Sequence, residues 1–170
     1  STGANMTRPT ADSIGMLATV INSLILKEYL AAAKVDVVVL SANYVEKACE
    51  LYTPAAALQH LQQNRVVIIA GGTGNPYFTT DTAAALRAAE INAEVILKAT
   101  KVDGVYDSDP VKNPKAKRFA SLTHEEALSR NLKVMDATAF SFCMVNKIPI
   151  IVFKLESGNI LKCIEGKPVG

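Results

Sequence analysis

VVIIAGGTGNPYFTTDTAAALRAAEI, residues 66–91, is the stretch of sequence that decides the fold. The apolar residues 66–70 predict a strand buried on both faces, and the alanine-rich segment from about Thr82 to Ile91 predicts a helix. Between them lies a turn with three glycines and several hydroxyl side chains. In open α/β sheets, ligands bind where such a turn leaves the carboxyl end of a strand. The stretch therefore predicts an α/β fold and a place for a ligand.

The alternation of helix and apolar strand continues on both sides of this stretch. We predict further helices over residues 10–33 and 53–63, from 123 onward and over 136–145, and further strands over 35–40, 94–97 and 149–153. Thr10 or Asp12 is expected to cap the first helix, Thr53 the helix over 53–63, and Thr123 and Asp136 the last two. Such alternation is typical of a mostly parallel open sheet between helical layers, a three-layer α/β/α sandwich. No internal repeat or linker is visible, so a single domain is expected.

Composition excludes several classes of protein. The chain has 170 residues, of which 49% are apolar and 20% are charged, as in an ordinary globular domain. A net charge of +2 and the absence of long Lys/Arg runs give no sign of nucleic-acid binding. The three cysteines show neither a disulfide pattern nor a metal-binding spacing, and no uninterrupted apolar run reaches the ~20 residues of a membrane span. We expect a cytoplasmic protein that binds neither nucleic acid nor a membrane, and no protein-bound metal.

The glycine turn, residues 71–80, has the chemistry of an anion site. Glycines let backbone N–H groups approach an oxyanion, and the start of a helix adds further N–H groups and a positive dipole end. The turn contains neither the Gly-Lys-Ser/Thr of a P-loop nor the Gly-x-Gly-x-x-Gly of dinucleotide-binding folds. A plain strand-to-helix turn with a Thr or Asp cap is the alternative.

Three further places offer polar groups beside predicted elements. Residues 98–110 follow a strand, and their two lysines and Tyr106 suit phosphates and a base, although a solvated loop would look the same. Asp12 suits a ribose diol, and Asp136 suits a lysine or a metal-bound water. For both aspartates the favoured alternative is a helix N-cap.

Long stretches of the chain resemble the bacterial-type uridylate kinase family, which belongs to the wider amino acid kinase fold. These stretches are AD (11–12), GMLATVIN (15–22), AGGTGNPYFTTD (70–81), LKATKVDGVY (97–106) and LKVMD (132–136). The resemblance runs over essentially all 170 residues in order and without a large gap. It implies an amino acid kinase-like sandwich and transfer of the γ-phosphoryl group of ATP, with Mg²⁺, to UMP. It also implies a homohexamer, activation by GTP and inhibition by UTP.

The resemblance implies roles for individual residues as well. Asp12 would bind the ribose of UMP. The uracil and the phosphate of UMP would be held by the turn residues Thr73, Gly74, Asn75, Pro76, Tyr77, Phe78, Thr79 and Thr80. ATP would contact Thr100, Tyr106 and Asp109, with Tyr106 on the adenine side. The predicted catalytic residues are Asp81 and Asp136, which match acidic positions near the phosphoryl-transfer centre.

The front portion of the family, about a quarter of its chain, has no counterpart in this sequence. That portion carries a lysine that stabilises charge on the transferred phosphoryl group, two glycine-rich turns and an arginine. We therefore expect the sequence as given to bind nucleotides while lacking that lysine, with Lys98 and Lys101 as candidate substitutes. Ser1–Asn5 is expected to be the remnant of a tag or of a loop. Two alternatives stay open: a carbamate-, acetylglutamate- or aspartate-type kinase, and a catalytically silent nucleotide-binding regulator.

Overall fold

The computed structural model describes residues 6–169, and the chain divides into two compact units. The first unit consists of the described residues up to Ile91, and the second begins at Asn92. The interpretation of Ser1–Asn5 as a remnant falls outside the described residues. That both units belong to one family domain stays a prediction.

The first unit is built on a parallel sheet with the strand order β2-β1-β3. Its elements in chain order are α1 (Arg8–Ala32), β1 (Val37–Ser41), β2 (Glu50–Leu51), α2 (Pro54–Gln62), β3 (Val66–Ala70) and α3 (Thr80–Glu90). β1 and β3 pair along their whole length, from Val37 with Val66 to Ser41 with Ala70. Both strands therefore end at the same edge of the sheet, and the glycine turn leaves from that edge.

Successive side chains of β1 point into two different layers of the core. Val39 packs with Val20 of α1, whereas Leu40 packs with Ala57 of α2. Because neighbouring residues of a strand face opposite sides of a sheet, helices cover both faces. The predicted three-layer α/β arrangement is confirmed in this unit.

The second unit carries a parallel sheet of two strands. Its elements are β4 (Ile96–Thr100), α4 (His124–Ser129), α5 (Ala137–Val145), β5 (Ile150–Lys154) and α6 (Asn159–Ile164). The strands pair from Ile96 with Ile150 to Thr100 with Lys154. A long loop follows β4, and an isolated antiparallel bridge between Tyr106 and Arg118 joins its two arms.

Local signals in the sequence correctly place three of the six helix starts in the described part of the chain. Thr53 caps α2, Asp136 caps α5, and Thr123 forms a complete capping box with Glu126 at α4. The strands β1 and β4 begin two residues later than expected, and Thr79 starts α3 earlier than expected. β2 and α6, which are short and have weak periodicity, were not predicted.

The start of α1 differs from the prediction. The helix begins at Arg8 after Thr7, so neither Thr10 nor Asp12 is its N-cap. Pro9 lies in the first turn, where its fixed φ and missing N–H fit a helix start, and this moves the boundary toward the N-terminus. Asp12 therefore does not cap α1.

Within the part of the chain that the structure describes, α1 alone is long and apolar enough, by length and composition, to cross a membrane. Its Val20 and Ser23 are buried, and Thr19 Oγ1 accepts a hydrogen bond of 2.8 Å from the Gly71 N–H. These contacts make α1 one layer of the first unit.

Candidate functional site

The backbone of the glycine turn repeatedly adopts the left-handed conformation. Its φ angles are 78° at Gly71, 58° at Gly72, 80° at Gly74 and 73° at Tyr77. A Cβ at Gly71 would also lie 2.6 Å from Asn43 Oδ1, so both the backbone angle and the space restrict this position to glycine. The glycines are therefore a requirement of the path that the chain takes from β3 to α3.

The carbonyl groups of the turn are held in fixed directions. The Gly71 carbonyl accepts a hydrogen bond of 2.9 Å from the Gly74 N–H, and the Gly72 carbonyl accepts one of 3.1 Å from Arg87 Nη2. Because C=O and N–H point in opposite directions in a trans peptide, the N–H groups of Gly72 and Thr73 point away from these partners. Neither N–H has a hydrogen-bond partner among residues 6–169. Successive free N–H groups form a concave site for an anion.

Asp12 lies beside this turn although it is far away in the sequence. Its Oδ2 accepts a hydrogen bond of 2.7 Å from the Tyr77 N–H, and Arg8 Nε lies 3.6 Å from the same oxygen. The Arg8 guanidinium is also 5.1 Å from the centre of the Tyr77 ring. A positive φ is unusual for a bulky aromatic residue, and the carboxylate of Asp12 holds Tyr77 in that conformation.

The remaining side chains of the turn are polar or exposed. The Thr73 hydroxyl donates to the Asn75 carbonyl and accepts from the Asn75 N–H, both at 3.1 Å. Thr79 caps α3 by accepting from the Thr82 N–H, and Asp81 lies in the first turn of that helix. Tyr77 and Phe78 are more than half exposed, so the same turn also presents flat apolar faces.

A second set of predicted residues surrounds the carboxyl ends of β4 and β5. A cavity of about 440 Å³ opens there, lined by Ala99, Thr100, Lys101, Lys154 and Leu155. The Thr100 hydroxyl donates to the Val102 carbonyl at 2.7 Å and accepts from the Val102 N–H at 3.0 Å. Lys101 adds positive charge to this cavity, which suits phosphate groups, whereas the Lys154 ammonium is paired with Glu156 at 2.5 Å.

Tyr106 and Asp109 lie on the loop that follows β4. The Tyr106 hydroxyl donates a hydrogen bond of 2.6 Å to Asp103 Oδ1, which lowers the pKa of Asp103 and raises the pKa of Tyr106. Arg118 Nη1, at 3.6 Å from Asp103 Oδ2, adds a positive charge beside the carboxylate. Asp109 Oδ1 accepts from the Val111 N–H at 2.9 Å and so shapes the next turn. The orientation of the Tyr106 ring is thus fixed by its neighbours.

Asp136 is the N-cap of α5. Its Oδ1 accepts hydrogen bonds from the Thr138 N–H at 2.9 Å and the Ala139 N–H at 3.0 Å. Lys98 of β4 donates from Nζ to the Val134 carbonyl at 2.9 Å, so it reaches the segment just before this cap. The cap interpretation is confirmed, and it leaves a catalytic role for Asp136 open.

The predicted residues fall into two groups, one in each unit. The first unit brings together Asp12, the turn residues 73–80 and Asp81. The second unit contains Thr100, Tyr106, Asp109 and Asp136. In the described residues, no group of three or more His, Cys, Asp or Glu side chains is arranged to hold a metal ion.

Two residues that fix the turn were not found from the sequence. Thr19 accepts from the Gly71 N–H, and Arg87 donates to the Gly72 carbonyl. Thr19 lies 52 residues before its partner and Arg87 lies 15 residues after its own, so no short motif contains either pair. The one available signal for Arg87 was a charged side chain in an otherwise alanine-rich helix.

Comparison with known proteins identifies the family. The model of the amino acid kinase family matches residues 2–154. A uridylate kinase of Magnetococcus marinus is 56% identical over 164 residues, which cover 96% of this chain and 68% of that protein. The crystal structure of UMP kinase from Ureaplasma parvum is 43% identical with a TM-score of 0.92, and covers 96% of this chain and 71% of its own.

The crystal structure of UMP kinase from Bacillus anthracis is similar at 36% identity with a TM-score of 0.93, over 97% of this chain and 69% of its own. These likenesses extend over both groups of predicted site residues. The chain therefore belongs to the amino acid kinase family, and within it to the uridylate kinases.

Proposed function

We propose that this chain is a UMP kinase, which transfers the γ-phosphoryl group of ATP to UMP and so forms UDP. The observation that carries the proposal is the glycine turn, where two successive N–H groups have no partner in the part of the chain that the structure describes. The same turn contains Tyr77, whose N–H is bound by Asp12. The identity of 56% with a uridylate kinase supports UMP as the acceptor.

The first unit supplies the groups that an acceptor nucleotide needs. The phosphate of UMP would be bound by the N–H groups of Gly72 and Thr73 and by the positive end of the α3 dipole. The carboxylate of Asp12 would accept hydrogen bonds from the ribose hydroxyls. Thr73 and Asn75 offer donors and acceptors to the polar edge of uracil, and Phe78 offers an apolar face. The remaining turn residues 74–80 complete this proposed UMP site.

The second unit supplies the groups that suit the donor nucleotide. Lys101 and Lys154 lie on the cavity at the ends of β4 and β5, where ATP phosphates would be neutralised. Thr100, Asp109 and the ring of Tyr106 would contact the rest of ATP. Mg²⁺ is proposed to arrive with ATP, because this ion is commonly held by substrate phosphates and few protein ligands.

Phosphoryl transfer requires mainly position and charge stabilisation from the protein. N–H groups that are fixed before the reaction provide both without reorganisation. We propose direct in-line transfer, with Asp81 and Asp136 near the transfer centre and no phosphorylated enzyme intermediate. Incubation with ATP labelled at the γ-phosphoryl group is expected to leave no label on the protein, and a trapped phosphoprotein would contradict direct transfer.

The proposal also includes the assembly, the effectors and the cellular location that the family implies. These are assembly into a homohexamer, activation by GTP, inhibition by UTP and a cytoplasmic location without nucleic-acid or membrane partners. Adding GTP or UTP to the assay tests the two effectors, and the assembly is considered below.

A coupled assay of ADP release tests the reaction. Protein from the whole reading frame is incubated with Mg²⁺-ATP and, in turn, UMP, CMP, carbamate, acetylglutamate, aspartate or no acceptor. We expect UMP to support turnover at least about 100-fold above every other acceptor, which is the discrimination given by about 2.7 kcal/mol. Faster turnover with carbamate, acetylglutamate or aspartate would replace the proposal with the related kinase. Binding of UMP without ADP release under any condition would favour the silent regulator.

A further inference from the structure

Arg87 of α3 is a nearly buried cation whose guanidinium group makes three contacts. Nη2 donates to the Gly72 carbonyl at 3.1 Å, and Nη1 donates to Glu90 Oε2 at 2.7 Å. The guanidinium carbon lies 4.0 Å from the centre of the Tyr52 ring. Only 12% of the Arg87 side chain is exposed, and its Nε is buried with no hydrogen-bond partner in the described segment 6–169.

The groups around Arg87 are themselves held in place. Glu90 Oε2 accepts a second hydrogen bond, of 2.7 Å, from the Tyr52 hydroxyl. Tyr52 is 8% exposed and packs in the core with Leu40 and Ala57. The connection therefore runs from the core through Tyr52, Glu90 and Arg87 to the carbonyl of Gly72.

Stability alone does not explain a charged group at this place. Burial of a guanidinium costs free energy, and the buried Nε leaves part of that cost uncompensated. A methionine or leucine would fill similar space without this cost. Only a planar guanidinium can stack on Tyr52 while it donates to Glu90 and Gly72 at the same time.

The hydrogen bond to Gly72 controls the direction of a group on the opposite side of the peptide. The Gly72 carbonyl and the Thr73 N–H belong to one planar peptide unit, so fixing the oxygen fixes the N–H. The Thr73 N–H is one of the two N–H groups of the turn that have no partner within the described chain. We propose that Arg87, held by Glu90 and Tyr52, is a positioning residue that aims the Thr73 N–H at the phosphate of the acceptor nucleotide. This inference rests on the proposed function, because it names the acceptor that the turn binds.

The test compares Arg87→Ala with Arg65→Ala. Arg65 belongs to the same unit and pairs with Asp36 at 3.0 Å, away from the turn, so it is a matched loss of one arginine. Two properties are measured: amide hydrogen exchange of Gly72, Thr73 and Gly74 in the free protein, and the kinetic constants for UMP and ATP.

For Arg87→Ala we expect exchange at the Gly74 N–H to rise at least tenfold, because the turn loses its support. The KM for UMP is expected to rise about tenfold while the KM for ATP stays within twofold. Methylguanidinium added at millimolar concentration should restore part of the UMP affinity, whereas a general folding defect would not respond to it. Arg65→Ala should change none of these quantities.

Equal changes in both KM values, or unchanged exchange at the turn, would overturn the positioning role. If Arg87→Ala does not fold, two variants that open no cavity replace it. Tyr52→Phe removes one hydrogen bond to Glu90, and Glu90→Gln removes the negative charge that pairs with Arg87. Each is then expected to raise the KM for UMP about threefold with the KM for ATP unchanged, and wild-type KM values in both would refute the inference. If the wild-type protein phosphorylates no nucleotide, the proposed function fails, and the exchange measurement still decides whether Arg87 holds the turn.

Discussion

The surroundings of individual glycines in the first unit restrict them to different degrees. Gly71 has a φ of 78°, and its missing side chain leaves room for Asn43 Oδ1. Gly15 lies on the exposed side of α1, and a Cβ added there would have no neighbour within 4 Å among the residues that the structure describes. Gly71 and Gly15 therefore offer a direct comparison between a required and a replaceable glycine.

We predict that Gly71→Ala lowers the free energy of unfolding by more than about 2 kcal/mol, because a left-handed alanine and a close contact are both unfavourable. Gly15→Ala should raise it by about 0.5–1 kcal/mol, since alanine is the better helix former. Urea unfolding of both variants gives the two values. Similar values for the two variants would mean that the turn can relax around a new side chain.

Tyr52 gives stability a specific dependence on pH. Burial, followed by the hydrogen bond to Glu90 and the charge of Glu90, raises its pKa from 10.0 to about 12. The folded state thus favours the protonated phenol. The contribution of Tyr52 is complete below pH 10, where the phenol is protonated in both states. It is lost as the pH rises from 10 toward about 12, because the unfolded chain then releases the proton first.

We predict that the stability advantage of wild type over Tyr52→Phe is constant up to about pH 9 and falls by about 1 kcal/mol by pH 11. The phenylalanine variant lacks this ionisation, so the difference between the proteins isolates it from other groups that titrate. Urea unfolding at intervals of half a pH unit measures the difference. Curves that stay parallel up to pH 11 would show that the Tyr52 pKa is not raised by folding.

At the scale of helices and strands, local chemistry predicted three of the helix starts directly. The caps Thr53, Thr123 and Asp136 follow directly from residue type and spacing. The predicted ends of α1, α2, α3 and α5, at residues 33, 63, 91 and 145, lie within one residue of the observed ends, although each helix is followed by a left-handed residue that is usually not glycine. These residues are Lys34, Asn64, Asn92, Asn131, Lys147 and Gly166.

Contacts between elements explain what the sequence could not predict in the candidate site. The turn itself was found from its glycines, and Asp12 from a resemblance. The support from Thr19 and Arg87 depends on how α1 and α3 pack against the sheet, which no local pattern records. A pairing that exists only in the folded chain has to be read from the structure.

Two substitutions of Asp136, the N-cap of α5, separate its structural role from its proposed catalytic role. Asparagine caps helices about as well as aspartate, whereas alanine costs about 1 kcal/mol. We predict that Asp136→Asn changes the free energy of unfolding by less than about 0.5 kcal/mol and that Asp136→Ala lowers it by about 1 kcal/mol. In both variants kcat should fall at least about tenfold, because the proposed charge near the transfer centre is lost.

Thr123→Ala is the control for the α5 experiment, because it removes another N-cap in the same unit. It is expected to cost about 1 kcal/mol of stability and to leave kcat unchanged. Chemical denaturation and the ADP-release assay give both readouts for all three variants. A wild-type kcat in Asp136→Asn would mean that Asp136 acts only as a helix cap and has no catalytic role.

At the scale of the whole molecule, α1 carries an apolar stripe that its own unit does not cover. The stripe consists of Ile14, Leu17, Ile21 and Ile25, which are 51%, 47%, 60% and 52% exposed. Their spacing of three and four residues places them on one side of the helix, away from the buried Val20. Exposed apolar patches of this kind mark interfaces, and the proposed homohexamer supplies further copies of the same surface to cover it.

We predict that Ile21→Glu weakens the assembly, because it places a charge in the middle of the stripe. Sedimentation velocity should show wild type far above the 18.2 kDa of one chain and the variant shifted toward smaller species. The folded content by circular dichroism should not change, since Ile21 is 60% exposed and contributes little to its own core. Val111→Glu is the matched control, because it puts the same charge at an 82% exposed valine of the second unit and should leave the mass unchanged. An Ile21→Glu protein with the wild-type mass would show that copies of this chain meet through a different surface.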